Sequence, residues 1–368
     1  MSRVCMLTSV HPPDDPRIYQ KQARSLAAAG YDVTLVAPGE ARADLPAAPP
    51  HGDAAQAGDG VARRAVEPGR TRWSRVTRTT WRVFREALDA RADVYHFHDP
   101  ELIPVGMALR WLGKRVVYDV HEDYPSKLRS MPYLPSAARG LVAGGVGALE
   151  RWASPFFDGI VCATDAIGRR FRRGVVVRNF PEVERYASTR RSGPFTLIHA
   201  GVLSPERGIR RIVDALGPGD SLLLCGRFSP PSFEREITAS AGVDYRGYVD
   251  PAALPALLAQ ADVGIVLIQP EPRYRVALPT KMFECMAAGL PVIVSDFPLW
   301  RGIVEGADCG LTVDPTDPAA IRAAIRALAD DPARRREMGE NGRRAVRERY
   351  NWAAERATLL ELYARLTR

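Results

Sequence analysis

No apolar run in the 368-residue sequence approaches the roughly 20 residues that a membrane-spanning helix needs, so no such anchor is expected. The first residues, MSRVCMLTSVHPPDD, carry one arginine and a short apolar run but no small-residue cleavage site. They read as a first β-strand and not as a secretory leader. Cysteine is scarce: there are five, Cys5, Cys162, Cys225, Cys285 and Cys309, widely spaced and without a C-x-x-C pair. That excludes a disulfide framework. Three of them sit in apolar strand-like runs, so buried reduced thiols in a cytoplasmic protein are expected. The G-x-G-x-x-G fingerprint is missing, which argues against a dinucleotide-binding dehydrogenase. Neither H-x-x-x-H nor D-x-D occurs, so spacing gives no reason to expect a metal. No short-period repeat is found.

What is present is length, positive charge and alternation. The chain is too long for one ordinary core and suits two domains. Its formal net charge of +8 favours anionic partners such as nucleotides, phospholipid surfaces or nucleic acid. Much of the excess is arginine between Arg63 and Arg91. Short strands rich in Val, Ile and Leu alternate with helical stretches, the pattern of parallel sheets covered by helices. RVCMLTSV, YDVTLVA, DVYHF, RVVYDV, DGIVCA and GVVVR read as strands of a first half. FTLIHAG, SLLLCG, VDYRGY, ADVGIVLI, LPVIVS and CGLTV read as strands of a second. The fold class expected is therefore α/β, with two doubly wound Rossmann-like domains facing a cleft. The expected boundaries are residues 1–180, a linker at 181–194, residues 195–350, and a final helix at 351–368. Residues 38–60 lack periodicity and read as a mobile surface loop. Residues 71–90 read as an amphipathic basic helix. Trp73, Val76, Thr77, Trp81, Phe84 and Leu88 lie on one face, with Arg72, Arg75, Arg78, Arg82 and Arg85 around the rest.

Two such domains usually place ligands beyond the carboxyl ends of their strands, so chemistry is sought there. The stretch ALPTKMFECMAAGLPVIV is mostly apolar, yet holds Lys281 and Glu284 one helical turn apart. Thr280 is expected to cap this helix and Gly289 to end it. A helix N-terminus with Lys281 beside it suits a phosphate, and Glu284 one turn deeper suits a vicinal diol such as a ribose. The alternative is a surface ion pair worth about 0.2–0.5 kcal/mol. Strand FTLIHAG ends at Gly201, and Arg207 opens the following helix, where a guanidinium can clamp a diphosphate. In the first half, His96, His98, Asp99, Glu101, His121, Glu122 and Asp123 follow strands, as do His11, Asp14, Asp15 and Arg17. A lone histidine is more often structural than catalytic, but His121 directly follows an apolar strand.

These pieces together resemble glycosyltransferase family 4, the retaining nucleotide-sugar transferases of the GT-B fold. The likeness rests on HPPDDPRIYQKQARSLAAAGYDVTLV, YDVHEDYP, GVLSPERGI, GYVDPAALPALLAQADVGIVLI and PTKMFECMAAGLPVIVSD, and covers nearly the whole chain. The resemblance implies that Glu284 binds the donor ribose and that Pro279, Thr280 and Lys281 hold the diphosphate. It places Arg207 where the family has a phosphate-binding Lys, at the loop that begins with Gly201. It sets His121 against the donor sugar, and Asp15 and Arg17 in the loop facing donor and acceptor. Main chain of the Arg246–Val249 turn, which includes Tyr248, would hold the base. The final helix would cross back onto the N-terminal domain. No cofactor or metal is implied. The donor would be a UDP- or GDP-sugar, and the acceptor a small molecule, a lipid-linked group or a glycan. Helix 71–90 is available to a membrane surface, and nucleic acid is not expected. Two positions depart from the family: Val202 replaces an Arg on the phosphates, and Val276 a Glu on the sugar. A nucleotide-sugar 2-epimerase of the same fold, and a binding subunit without turnover, remain alternatives.

Overall fold

The structure is a computed structural model that describes residues 1–39, 58–131, 134–186 and 194–368. It divides into two compact units, Met1–Asn179 with Glu355–Arg368, and Phe180–Ala354.

The first unit is built on seven parallel strands: β1 (Arg3–Leu7), β2 (Asp32–Pro38), β3 (Val61–Val66), β4 (Val94–Phe97), β5 (Arg115–Val120), β6 (Gly159–Cys162) and β7 (Gly174–Val176). Their order is β3-β2-β1-β4-β5-β6-β7. Val4 of β1 pairs with Val33 on one side and Val94 on the other. The order reverses between β1 and β4, so the loops leaving these two strands diverge and open a crevice at their carboxyl ends. Alternate residues face opposite sides, as a pleated strand requires. Cys5, Leu7, Tyr95, Phe97, Tyr118 and Val120 share one apolar core. On the other face, residues of the helix Trp352–Leu366 meet the sheet: Tyr363 Oη lies 2.9 Å from His96 Nδ1, and Leu362 lies against Gly159.

The second unit has six parallel strands: β8 (Thr196–Ala200), β9 (Ser221–Cys225), β10 (Val243–Tyr245), β11 (Val263–Val266), β12 (Val292–Ser295) and β13 (Gly310–Val313). Their order, β10-β9-β8-β11-β12-β13, reverses between β8 and β11. Both faces are covered, since Leu197, Leu222, Leu224, Ile265 and Ile293 belong to one core while Ile198, Leu223, Val266, Val292 and Val294 belong to the other. This explains why these strands read as unbroken apolar runs.

Two sequence readings need correction, and the structure adds which face of helix 72–90 is buried. Strand β3, VARRAV, was not expected. It is an edge strand that pairs only with β2 among the described residues, and an edge tolerates Arg63 and Arg64 in mid-strand. Phe180, the last residue of the expected first domain, and Val183 and Tyr186 of the expected linker are buried in the second core, Phe180 edge-on to Phe283. Helix 72–90 does not bury its large apolar face. Thr79, Val83 and Ala87 point inward, whereas Trp73 is 79% and Trp81 60% exposed. Most of the loop expected at 38–60 (residues 40–57) lies outside the described residues, as does 187–193 of the linker. All five cysteines are buried free thiols. Among the described residues no helix is long and apolar enough to cross a membrane.

Candidate functional site

In the second unit Arg207 follows β8, and Lys281 and Glu284 follow β11. Chain direction there is set by glycine. Gly201 follows β8 at φ +132°, and its N–H donates to Cys225 O at 2.6 Å. A Cβ on Gly201 would fall 1.8 Å from Lys281 Cε and 2.1 Å from Nζ, so the lysine side chain runs directly across this glycine. Gly226 after β9 is held as tightly: a Cβ there would meet Gly201 O at 1.7 Å. A one-turn helix, Pro205–Arg207, then presents Arg207 with its guanidinium 5.1 Å from the Tyr274 ring centroid.

Helix Thr280–Ala287 delivers Lys281 and Glu284. Its N-cap is Pro279, without a side-chain cap bond, and Thr280 is the first helical residue instead of the expected cap. Gly289 ends it at φ +77°. The Gly289 N–H reaches Met286 O and the Leu290 N–H reaches Cys285 O, a Schellman pair. Met282, Phe283, Met286 and Ala287 are buried in the core, so the helix is anchored by its apolar face and its orientation is fixed. Lys281 and Glu284 are both half-buried, not standing in bulk water. Burial, reinforced by the charge of Arg207, pushes the Lys281 ammonium down to about 8. Two cations held this close repel one another, and an anion between them relieves both. Glu284 Oε1 accepts from Tyr186 Oη at 3.2 Å, and burial together with the Glu284 charge pushes that phenol up. The sequence reading missed two neighbours: Tyr186, taken as linker, and His199 in mid-strand β8. His199 is buried, and its Nδ1 lies 2.9 Å from Ile265 O. Burial and the Lys281 charge push it down to about 3, so it is neutral at neutral pH. Val202 and Val276 are about half exposed, at 47% and 46%. Tyr248 is exposed, its ring 4.7 Å below the Arg227 guanidinium.

In the first unit the loops after β1, β4 and β5 converge. Asp15 caps the helix at residues 16–28, taking the Arg17 and Ile18 N–H groups at 2.8 and 2.9 Å. Burial opposes its ionisation, but the His11 contact and these N–H groups outweigh it and bring the carboxyl down to about 2. Its other oxygen lies 3.1 Å from His11 Nδ1. His11 Nε2 is in turn 3.0 Å from His121 Nε2 and 3.5 Å from Asp99 Oδ1. Burial pushes His121 down to about 4. Asp99 is fully buried, and its Oδ2 accepts from Thr8 Oγ1 and Ser9 N, each at 2.7 Å. Arg17 belongs elsewhere. It grips buried Asp119 through two bonds of 3.0 and 2.9 Å and donates to Val177 O at 2.9 Å. It is a packing residue locking β5 to the exit of β7, and so unavailable to a ligand as its loop position had suggested. Two sets of side chains bring metal-ligating atoms within 4.8 Å of one another, His11 with Asp99 and His121, and His96 with His98 and Asp119. In the second set Asp119 is held by Arg17 and His96 meets Tyr363.

Comparison with known proteins agrees with both halves. The family described as Glycosyltransferase Family 4 matches residues 17–180, and the family described as Glycosyl transferases group 1 matches residues 182–345. A glycogen synthase of Mycobacterium tuberculosis is 25% identical over 98% of this chain and 94% of its own. A phosphatidyl-myo-inositol mannosyltransferase of Mycobacterium leprae is 26% identical over 77% of this chain and 76% of its own. Among solved structures, sucrose-phosphate synthase from Thermosynechococcus elongatus superposes with a TM-score of 0.76 at 20% identity, covering 100% of this chain and 99% of that one. Anabaena HepE in complex with UDP-glucose does so with a TM-score of 0.73 at 15% identity, covering 99% and 100%. Each half of the sequence thus matches the corresponding half of one enzyme class, and the chain belongs to glycosyltransferase family 4 as a nucleotide-sugar-dependent glycosyltransferase.

Proposed function

We propose that the enzyme moves a sugar from a nucleoside diphosphate to an acceptor hydroxyl with retention of anomeric configuration, and that the second unit holds the donor. The observation that carries this reading is Lys281, laid across Gly201 beside Arg207 at a helix start, with Glu284 one turn further. Departure of the diphosphate builds negative charge, and fixed cations aimed at that charge lower the barrier. Lys281, Arg207 and the first turn at Pro279–Thr280 supply them from the protein itself. Glu284 accepts hydrogen bonds from the ribose diol, with Tyr186 steadying the carboxylate. Main chain at 246–249, next to Tyr248, holds the base. The leaving phosphate takes the acceptor proton during front-face attack. UDP is the favoured nucleotide, since HepE is solved with UDP and with UDP-glucose.

A thermal-shift panel of UDP-, GDP-, TDP- and ADP-sugars tests donor binding, since a ligand at 100 times its Kd adds about 2.7 kcal/mol to the native state. We expect one nucleotide series to stand out and the product to keep the donor's anomeric configuration by NMR. Conversion of the donor sugar without any acceptor would instead identify the 2-epimerase.

The acceptor is met at an anionic lipid surface. Helix 72–90 supports this by exposing Trp73, Val76, Trp81 and Leu88 alongside exposed Arg78 and Arg85. Apolar side chains with arginines around them suit an anionic bilayer interface. In vesicle co-sedimentation, phosphatidylglycerol membranes should retain the protein and phosphatidylcholine membranes should not. Reversing Arg78 and Arg85 to Glu, at about 1 kcal/mol per lost charge, should lower partitioning roughly thirtyfold or more. Equal partitioning of wild type and variant would remove the lipid surface from the proposal.

A further inference from the structure

We infer that the outer face of helix Ser136–Ala153, with the residues that follow it to Phe156, docks on an anionic lipid surface and is a second lipid contact of the first unit. The helix is amphipathic in the sense opposite to an ordinary core-facing helix. Its packed side is small and charged. Ala143, Glu150 and Ala153 are fully buried, and a Cβ on Gly147 would lie 3.2 Å from Pro125 Cγ. Its outer side is apolar. Leu141, Gly145, Ala148, Leu149 and Trp152 fall at i, i+4, i+7, i+8 and i+11, one stripe of a helix, and all are exposed, Leu141 at 81% and Trp152 at 59%. Phe156 continues the stripe, its ring centroid 5.5 Å from that of Trp152. Arg110 Nε donates to Phe156 O at 2.9 Å, so the end of helix Ile103–Trp111, with exposed Trp111 and Leu112, joins the same patch. Single exposed apolar residues are ordinary on a protein surface, whereas a contiguous set marks an interaction site.

Charge selects the partner. The one acid of the helix, Glu150, is turned inward, where its Oε1 accepts from Tyr118 Oη at 3.0 Å and its other oxygen meets Arg170. The charge left exposed on the helix is Arg151, with exposed Arg115 at the start of β5. Neither has an acidic partner among the described residues. Asp158, just before β6, is engaged by Arg110 Nε at 3.5 Å and by the Val116 N–H at 2.8 Å. A second copy on this face would bring arginine to arginine with no exposed acid on the helix to meet it. Anionic headgroups satisfy those charges while the apolar stripe and its tryptophan enter the interface. Helix 72–90 lies in the same layer. Its Val83 and Ala87 share one core with Ile103, Met107 and Ala153 on one face of the sheet, so all three helices turn their outer sides the same way. The new contact deepens the lipid-surface reading of helix 72–90 and rests on it for the kind of partner, although its residues are separate.

The test uses the whole chain in co-sedimentation with mixed phosphatidylglycerol and phosphatidylcholine vesicles. Leu141→Ser combined with Trp152→Ser should lower partitioning about tenfold or more, because two large apolar side chains no longer leave water for the interface. Its thermal unfolding and its nucleotide thermal shifts should stay close to wild type, since both side chains are exposed in the first unit. Brominated acyl chains should quench the tryptophan fluorescence of the wild type, and Trp152→Phe should remove part of that quenching. This single variant serves if the double one fails to fold. Wild-type partitioning in the double variant, or quenching unchanged in Trp152→Phe, would overturn the contact. A dimer seen by light scattering, dissolved by the double variant with no change in partitioning, would assign the face to a second copy instead. Arg78→Glu with Arg85→Glu is measured alongside. Loss of partitioning there but not in the Leu141 and Trp152 variant confines docking to helix 72–90 and ends this proposal. The reverse result keeps it and ends the reading of helix 72–90.

Discussion

Replacing Lys281 with alanine should lower turnover by about 100- to 1,000-fold, the cost of removing one fixed charge from a developing anion, about 2.7–4 kcal/mol. The effect is large because Lys281 is not a mobile surface lysine. Its stem crosses Gly201, its helix is pinned by Met282, Phe283 and Met286, and Arg207 stands beside it. A solvated lysine would be screened and its loss hardly felt. Glu284→Ala should act differently. A carboxylate that binds the ribose equally in ground and transition states supports affinity, so KM should rise about 10- to 100-fold with a smaller change in kcat. Gly201→Ala supplies an independent check without touching either charge. The new methyl would displace the end of the Lys281 chain and would also strain a backbone at φ +132°, so donor turnover should fall toward the Lys281→Ala level, with thermal unfolding of the same variant showing how much of the loss is backbone strain. Steady-state kinetics on the three variants decides this, and near-normal kcat and KM in Lys281→Ala and Glu284→Ala together would refute the placement of the donor.

Arg17→Ala should destabilise the first unit by about 3–5 kcal/mol, because it strands a fully buried carboxylate. Among the described residues Asp119 then keeps Gln22 Nε2 at 2.7 Å and His98 Nδ1 at 3.3 Å. In the wild protein burial is outweighed by the Arg17 charge together with the His98 and Arg17 hydrogen bonds, which hold the Asp119 carboxyl well below its usual range. Without Arg17 the largest lowering influence is gone, and we expect burial to carry that pKa above the unfolded value despite His98 and Gln22. The folded variant then binds the extra proton, and its stability recovers as pH falls and declines as pH rises. Hydrogen exchange at the β5 amides against pH reads this directly. A further Asp119→Leu change should recover much of the loss, since a paired charge replaced on both sides by apolar groups is close to neutral. Exchange rates unchanged by Arg17→Ala would show that the pair does not hold β5 to β7.

Much of the fold was legible because burial on both faces writes parallel strands as continuous apolar runs such as VVYDV and GIVLI. What escaped was set by tertiary context. The arginines of β3 are tolerated at a sheet edge, where one side has no neighbour. Phe180, Val183 and Tyr186 lie among prolines and charges, so nothing local marked them as core. The sequence shows helix 72–90 as amphipathic without saying which side chains the sheet takes, and these are the small ones, Val83 and Ala87. The same division separates the two sites. Lys281 and Glu284 share one helix, so their spacing alone disclosed them. His11, Asp15, Asp99 and His121 meet only because β1, β4 and β5 are neighbours in the sheet, an order no spacing in the chain records. Arg17 was misplaced for a related reason, since its partner Asp119 lies on another strand.

The central claim is that a charged Lys281 in the second unit grips the donor diphosphate. Calorimetric titration with the nucleoside diphosphate that binds best, repeated across a range of pH, tests it most directly. With the free lysine held near 8, affinity should be full below that pH and fall as the ammonium is lost above it, and Lys281→Met should be weak and nearly flat over the same range. Equal affinity in wild type and Lys281→Met at every pH would contradict the account.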